Sequence, residues 1–245
     1  MQIPGLETMM TGRGKLKLDG VPMEISFTVP VGVCSPQALL PDAQRLANQI
    51  SDHAVARVEL AGHRISCQKG CGACCRQMVP VSPVEAWHLA ALVEKMPPHR
   101  QAAVRERFET ALKLLAAAEP GDAGHPEQDK AAYRSFGLAY FRMGVPCPFL
   151  EEESCSIHLD RPLVCREYLV TTPPAACAVL GTGQVLQVAL PVHLWAVFGH
   201  SMAADGRLEW MPLIRSLAYA AANPEPPHAH TGPHQVEAML KALPR

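Results

Sequence analysis

The chain has 245 residues, 48% of them hydrophobic and 18% charged, which is enough to bury one core or two small ones without covalent staples. Lys and Arg number 22 against 23 Asp and Glu, so there is neither the basic field that attracts nucleic acid nor an acidic block that would act as a solvating tail. No stretch approaches the roughly 18 uninterrupted apolar residues of a membrane helix. Residues 1–15 also lack a basic-then-apolar leader. The expectation is a cytoplasmic protein with no membrane and no nucleic-acid partner.

Residues 14–30 predict a β-hairpin, because Leu16 and Leu18 alternate with lysines, Asp19-Gly20 suits a tight turn, and Ile25, Phe27 and Val29 alternate again. Over 36–60 the set Leu39, Ala43, Leu46, Ala47, Ile50, Ala54 and Val58 follows helical spacing and predicts one helix or two. Ser82-Pro83-Val84-Glu85 combines an N-cap serine, a proline at the first helical position and a capping-box glutamate, with Leu89, Leu92, Val93 and Met96 along one face. After Pro97-Pro98 a second helix carries Val104, Phe108, Ala111, Leu112 and Leu115 and ends before Pro120-Gly121.

Residues 120–129 read as an exposed loop and 131–143 as a helix. The spacing then predicts a short strand over 184–190 and helices over 192–204 and 212–223. A Pro/His-rich loop over 223–232 precedes a last helix. The predicted fold is mainly α with a small N-terminal β-hairpin (α+β). It is read as one domain over 1–245, with a cysteine-bearing core at 67–177 and a mostly helical part at 178–245.

Nine cysteines are too many for ordinary usage and too unevenly placed for the disulfide scaffold of a small secreted domain. Clustered thiols without a secretion signal point first to metal. Cys67, Cys71, Cys74 and Cys75 fall within nine residues, with Gly70 and Gly72 between them to let the backbone turn and offer amide hydrogens to anionic sulfur. Cys147, Cys155, Cys165 and Cys177 follow beyond a long interval, and metal binding would offset the cost of closing so long a loop. Adjacent Cys74 and Cys75 should diverge on either a helix or a strand, so they are expected to serve different sites, or one to ligate while the other packs. Two four-thiolate sites and one cluster with spare thiols both fit the count.

Other residues weigh less. Cys34 reads as a buried bystander. His193 and His200 share a helix face but sit among packing residues. Glu151, Glu152 and Glu153 read as a solvated run. Arg161 and Arg166 flank Cys165, where each is either solvated or a donor to sulfur. Cys67, Cys71 and Cys74 reproduce the C-x3-C-x2-C spacing of radical S-adenosylmethionine enzymes, but Ala73 replaces the usual aromatic and no strand–helix alternation follows.

The run Cys-Gln-Lys-Gly-Cys-Gly-Ala-Cys-Cys, followed by Cys-Pro-Phe-Leu and Cys-Ser-Ile-His-Leu-Asp-Arg-Pro-Leu-Val-Cys-Arg, resembles the YkgJ-type cysteine-cluster family of zinc- or iron-chelating proteins. The resemblance implies metal ligation by Cys67, Cys71, Cys74, Cys75, Cys147, Cys155, Cys165 and Cys177. His158 stands where that family usually has Tyr, so the resemblance does not make it a ligand. A similar cysteine signature in flagellin lysine methylases implies an alternative, an iron–sulfur-dependent methyltransferase. The cofactor expected is an iron–sulfur cluster, or else zinc, with the metal or cluster as the only partner in view.

Overall fold

The structure is a computed structural model that describes residues 8–118, 121, 128–179, 185–203 and 205–244. It is mainly α, with a small N-terminal antiparallel hairpin. Strands β1 (Met9–Leu18) and β2 (Val21–Pro30) pair from Met9 opposite Pro30 to Leu18 opposite Val21. The turn between them puts both Asp19 (φ 49°) and Gly20 (φ 85°) in the left-handed region, the geometry that matches strand twist. The hairpin is therefore longer at its open end than the alternation over 14–30 predicts. Ile25, Phe27 and Val29 bury one face of β2, while β1 is almost wholly exposed.

That buried face rests on α1 (Leu40–Leu60), entered through a 3-10 turn over Pro36–Leu39 whose cap is the Ser35 hydroxyl, accepting from Gln37 N. Leu40, Ala43, Leu46, Ala47 and Ile50 form with the hairpin one hydrophobic core. Helices α2 (Pro83–Glu94) and α3 (Pro98–Ala118) have the expected bounds, and the capping box of Ser82 and Glu85 is formed in both directions. Helix α4 (Lys130–Arg142) joins α3 in a core around Leu115, Phe136 and Tyr140. A further core unites α2 and α3 with Phe149 and Ile157, where Phe108 and Phe149 meet edge to face at 5.4 Å. The loop expected over 120–129 lies mostly outside the described residues.

Two-residue strands β3 (Pro80–Val81) and β6 (Met211–Pro212) pair, and β4 (Leu150–Glu151) makes a tight hairpin with β5 (Ser154–Cys155). Short helices α5 (Leu163–Glu167) and α6 (Pro174–Cys177) carry the last two cysteines. Helices α7 (Leu194–Met202), α8 (Ser216–Ala222) and α9 (Gly232–Lys241) complete the chain. The strand expected over 184–190 is reduced, in its described part, to one bridge between Gln187 and Val170. Its partner segment has little room to extend, because it lies between the end of α5 and Pro173-Pro174. Among the described residues, no helix is long and apolar enough to cross a membrane.

Candidate metal centre

Three pieces of chain converge on one cavity. The first is the segment 66–77, anchored at its start by Ser66, whose N–H donates to Val170 O (2.9 Å) and whose hydroxyl donates to Thr171 O (3.1 Å). Gly70 has φ 86°, a turn conformation that a side chain would strain, and Cys71 N closes that turn onto Gln68 O at 3.1 Å. A 3-10 turn over Ala73–Arg76 follows, with Cys75 N donating to Gly72 O at 3.0 Å.

The second piece is the β4–β5 hairpin and its approach. Cys147 N donates to Cys75 O at 2.7 Å, which ties the two cysteine segments together through the backbone. Arg76 forms a two-pronged ion pair with Glu153 at 2.6 and 3.0 Å. Glu151 meets Arg107 at 2.9 Å and Arg100 at 3.5 Å. The acidic run is thus not simply solvated as the sequence suggests: two of its three carboxylates fasten the hairpin to its neighbours.

Gly72 is used differently from the expected tight turn. Its φ is ordinary, but a Cβ there would lie 2.5 Å from Glu153 Oε2 and 2.8 Å from Leu150 Cδ1. The hairpin presses on the knuckle, and the Glu153 Cα, 3.1 Å from that Cβ, is backbone that cannot swing aside as the two side-chain ends can. Gly72→Ala is expected to cost about 1–3 kcal/mol by overpacking. Thermal melting against Gly12→Ala, whose Cβ would meet nothing within 4 Å, checks this.

The third piece is α5. The side chain of Glu85, in α2, accepts from Leu163 N at 2.9 Å and so caps a second helix besides its own. From α1, Gln44 donates to Arg161 O and Ser51 donates to Arg166 O. Arg166 is buried and spends its guanidinium on the carbonyls of Arg161 and Leu159 and on Asn48 Oδ1. These contacts fix the turn that presents Cys165. At the far end of α5, Glu167 accepts from Trp195 N at 2.9 Å and from His193 at 3.3 Å, capping α7.

Cys67, Cys71, Cys74, Cys75, Cys147, Cys155 and Cys165 all line the resulting cavity, whose volume is about 640 Å³. Cys74 and Cys75 share it, contrary to the divergence expected of neighbours. The sharp 3-10 turn wraps both round one side of a cavity wide enough to admit them. Cys177 is buried at the end of α6 and is not part of the lining, although it stands near Cys74, Cys67 and Cys71. The thiols surround a space: among the described residues no three His, Cys, Asp or Glu side chains close on a single point at ion-holding distance. No disulfide joins any of the cysteines.

Burial pushes the Cys67, Cys155, Cys165 and Cys177 thiols above their ordinary value, and Cys147 up to about 12. Cys74 is raised first by the neighbouring Cys75 thiol and then by burial. Each thiolate therefore needs a cation beside it. The donors are soft sulfur, gathered in a space that a metal group can enter, and they fit zinc, iron or an iron–sulfur cluster by donor chemistry.

The residues that weigh less in the sequence lie elsewhere. His193 stands at the start of α7 and pairs with Glu167, and His200 Nδ1 meets Gly206 O at 3.1 Å, so the two form no shared site. Cys34 is buried against α9, where Gln235 Nε2 donates to its carbonyl at 2.8 Å. Missed from the sequence were the second role of Glu85 and the Arg76–Glu153 clamp. The capping box signals the first only in part, and no local signal gives the second.

A cavity walled by sulfur donors from remote segments has the donor chemistry of a thiol-rich chelating site. Residues 66–179 match the CxxCxxCC family model, described as a "putative zinc- or iron-chelating domain". The matched segment is a little under half of the chain and contains all eight cysteines of the motifs. No curated protein and no solved structure is matched by the chain.

Proposed function

We propose that this protein holds an iron–sulfur cluster in the cavity, its thiolate ligands drawn from Cys67, Cys71, Cys74 and Cys75 on one side and Cys147, Cys155 and Cys165 on the other, with Cys177 beside them. The observation that carries the proposal is that seven thiols from two segments, Cys75 and Cys147 being 72 residues apart, line one cavity of about 640 Å³. A single tetrahedral zinc ion takes four sulfurs at about 2.3 Å and would leave most of the space unused. A cluster has the larger span and takes ligands from several loops. When bound, it supplies one-electron chemistry, while the chain's residues exclude water, hold the thiolates and set their number.

Anaerobic purification with iron, acid-labile sulfide and zinc determinations tests the proposal. Stoichiometric iron and sulfide with broad visible absorption are expected. Colourless protein with stoichiometric zinc would replace the cluster by thiolate zinc, and protein that takes up neither would overturn metal binding altogether.

Binding is also expected to release protons, because burial holds the site thiols protonated and only the thiolate ligates. Lowering the pH should therefore weaken metal affinity and raising it should strengthen it. Chelator competition across a pH series measures this.

A further inference from the structure

Arg161 occupies a place that neither the fold nor the thiol count explains. It precedes Pro162, which holds it extended (φ −58°, ψ 145°), and its carbonyl is gripped by Gln44 and Arg166. The backbone is thereby fixed and the side chain lines the cavity. Its Nε–H is buried and has no hydrogen-bond partner, and among the described residues no carboxylate pairs with it.

The other charged groups at the cavity are already committed or remote from its interior. Glu153 is clamped to Arg76, and Lys69 is exposed at the rim. Arg166 faces carbonyls, and the neighbouring Asp160 points toward His88 at 3.9 Å. Arg161 lines the same cavity as Cys67 and Cys74 of the first segment and Cys155 and Cys165 of the second.

We infer that Arg161 is the counter-charge of the thiolate site, its unpartnered N–H donating to a metal-bound sulfur. This rests on reading the cavity as a metal centre. Gathering four or more thiolates on one metal group leaves a net negative charge inside the protein, where an unneutralised charge is costly. A guanidinium offers several donors in a fixed plane and is weakly hydrated, which suits a half-buried anion better than a lysine ammonium does. Arg161 is a positioning residue, since it acts through the sulfurs.

The test compares purified full-length wild type, Arg161→Gln and Arg161→Lys by chelator competition, by metal-free melting and, for the iron form, by midpoint potential. Arg161→Gln is expected to weaken metal affinity about 10- to 100-fold, the usual size of an outer-sphere loss, with little change in metal-free melting. The potential should fall, because the reduced and more negative state loses its counter-charge. Arg161→Lys should recover part of the affinity and most of the potential. Should the glutamine variant not fold, Arg161→Met, which keeps the apolar stem, takes its place with the same expectations. A glutamine or methionine variant with wild-type affinity and potential would overturn the inference, as would a lysine variant no better than glutamine. A wild type that loads no metal at all would instead sink the reading of the site beneath it.

Discussion

Cys165→Ser is expected to lose most of the bound metal and to melt roughly 5–10 °C below wild type, because metal-binding free energy is folding free energy when the ligands come from distant segments. Cys165 sits in the first turn of α5, with Cys165 N bonded to Pro162 O at 3.1 Å and Cys147, Cys74 and Cys155 as the thiols that act on it most. Serine's hydroxyl is harder and far less acidic than a thiol, so it is a poor substitute ligand. Cys34→Ser is the control: that thiol is buried beside α9, outside the cavity lining, and its replacement should leave metal content unchanged. Elemental analysis with thermal melting decides the comparison. Exhaustive chelation should bring wild type down to the melting temperature of the Cys165 variant and leave the variant unmoved. Full metal occupancy in Cys165→Ser would refute the two-segment site and leave only a local knuckle at Cys67 to Cys75.

Much of the scaffold was legible because its signals are local. The capping box at Ser82, the alternation in β2 and the Asp19-Gly20 turn each need only neighbouring residues, and each is formed. The site was legible as a set of cysteines, since thiols at those spacings have few other uses, but not as a geometry. Whether Cys74 and Cys75 face together depends on the curvature of a 3-10 turn and on the width of the cavity opposite. The role of Gly72 depends on a hairpin some eighty residues later, whose approach would crowd a Cβ. Likewise Glu153 reads as one acid among three until Arg76 is placed beside it. The segment over 184–190 has strand composition, yet a strand needs a partner, and Pro173-Pro174 cuts the available one short.

What sets the cysteines in place is a chain of buried polar contacts that starts at one carboxylate. Glu85 is 2% exposed and accepts from Ser82 N (3.0 Å), the Ser82 hydroxyl (3.0 Å) and Leu163 N (2.9 Å), so a single side chain caps the starts of both α2 and α5. Burial pushes its carboxyl above the ordinary value, while the Ser82 and Leu163 N–H groups pull it back. From α5 the contacts continue through Arg166 to the 159–161 turn and through Glu167 to α7. Glu85→Ala leaves buried donors without an acceptor and is expected to cost about 2–4 kcal/mol, a fall in Tm of roughly 5–15 °C. Metal affinity should fall with it, because α5 loses the anchor of the turn before Cys165. Glu85→Gln should fall between the two: its one carbonyl oxygen can face either Leu163 or Ser82, and its amide then meets a donor on the other side. Melting and chelator competition on the same preparations separate two roles. Loss of stability together with affinity means that Glu85 positions the ligand helix. A destabilised alanine variant with undiminished metal affinity would show that α5 holds Cys165 in place without it.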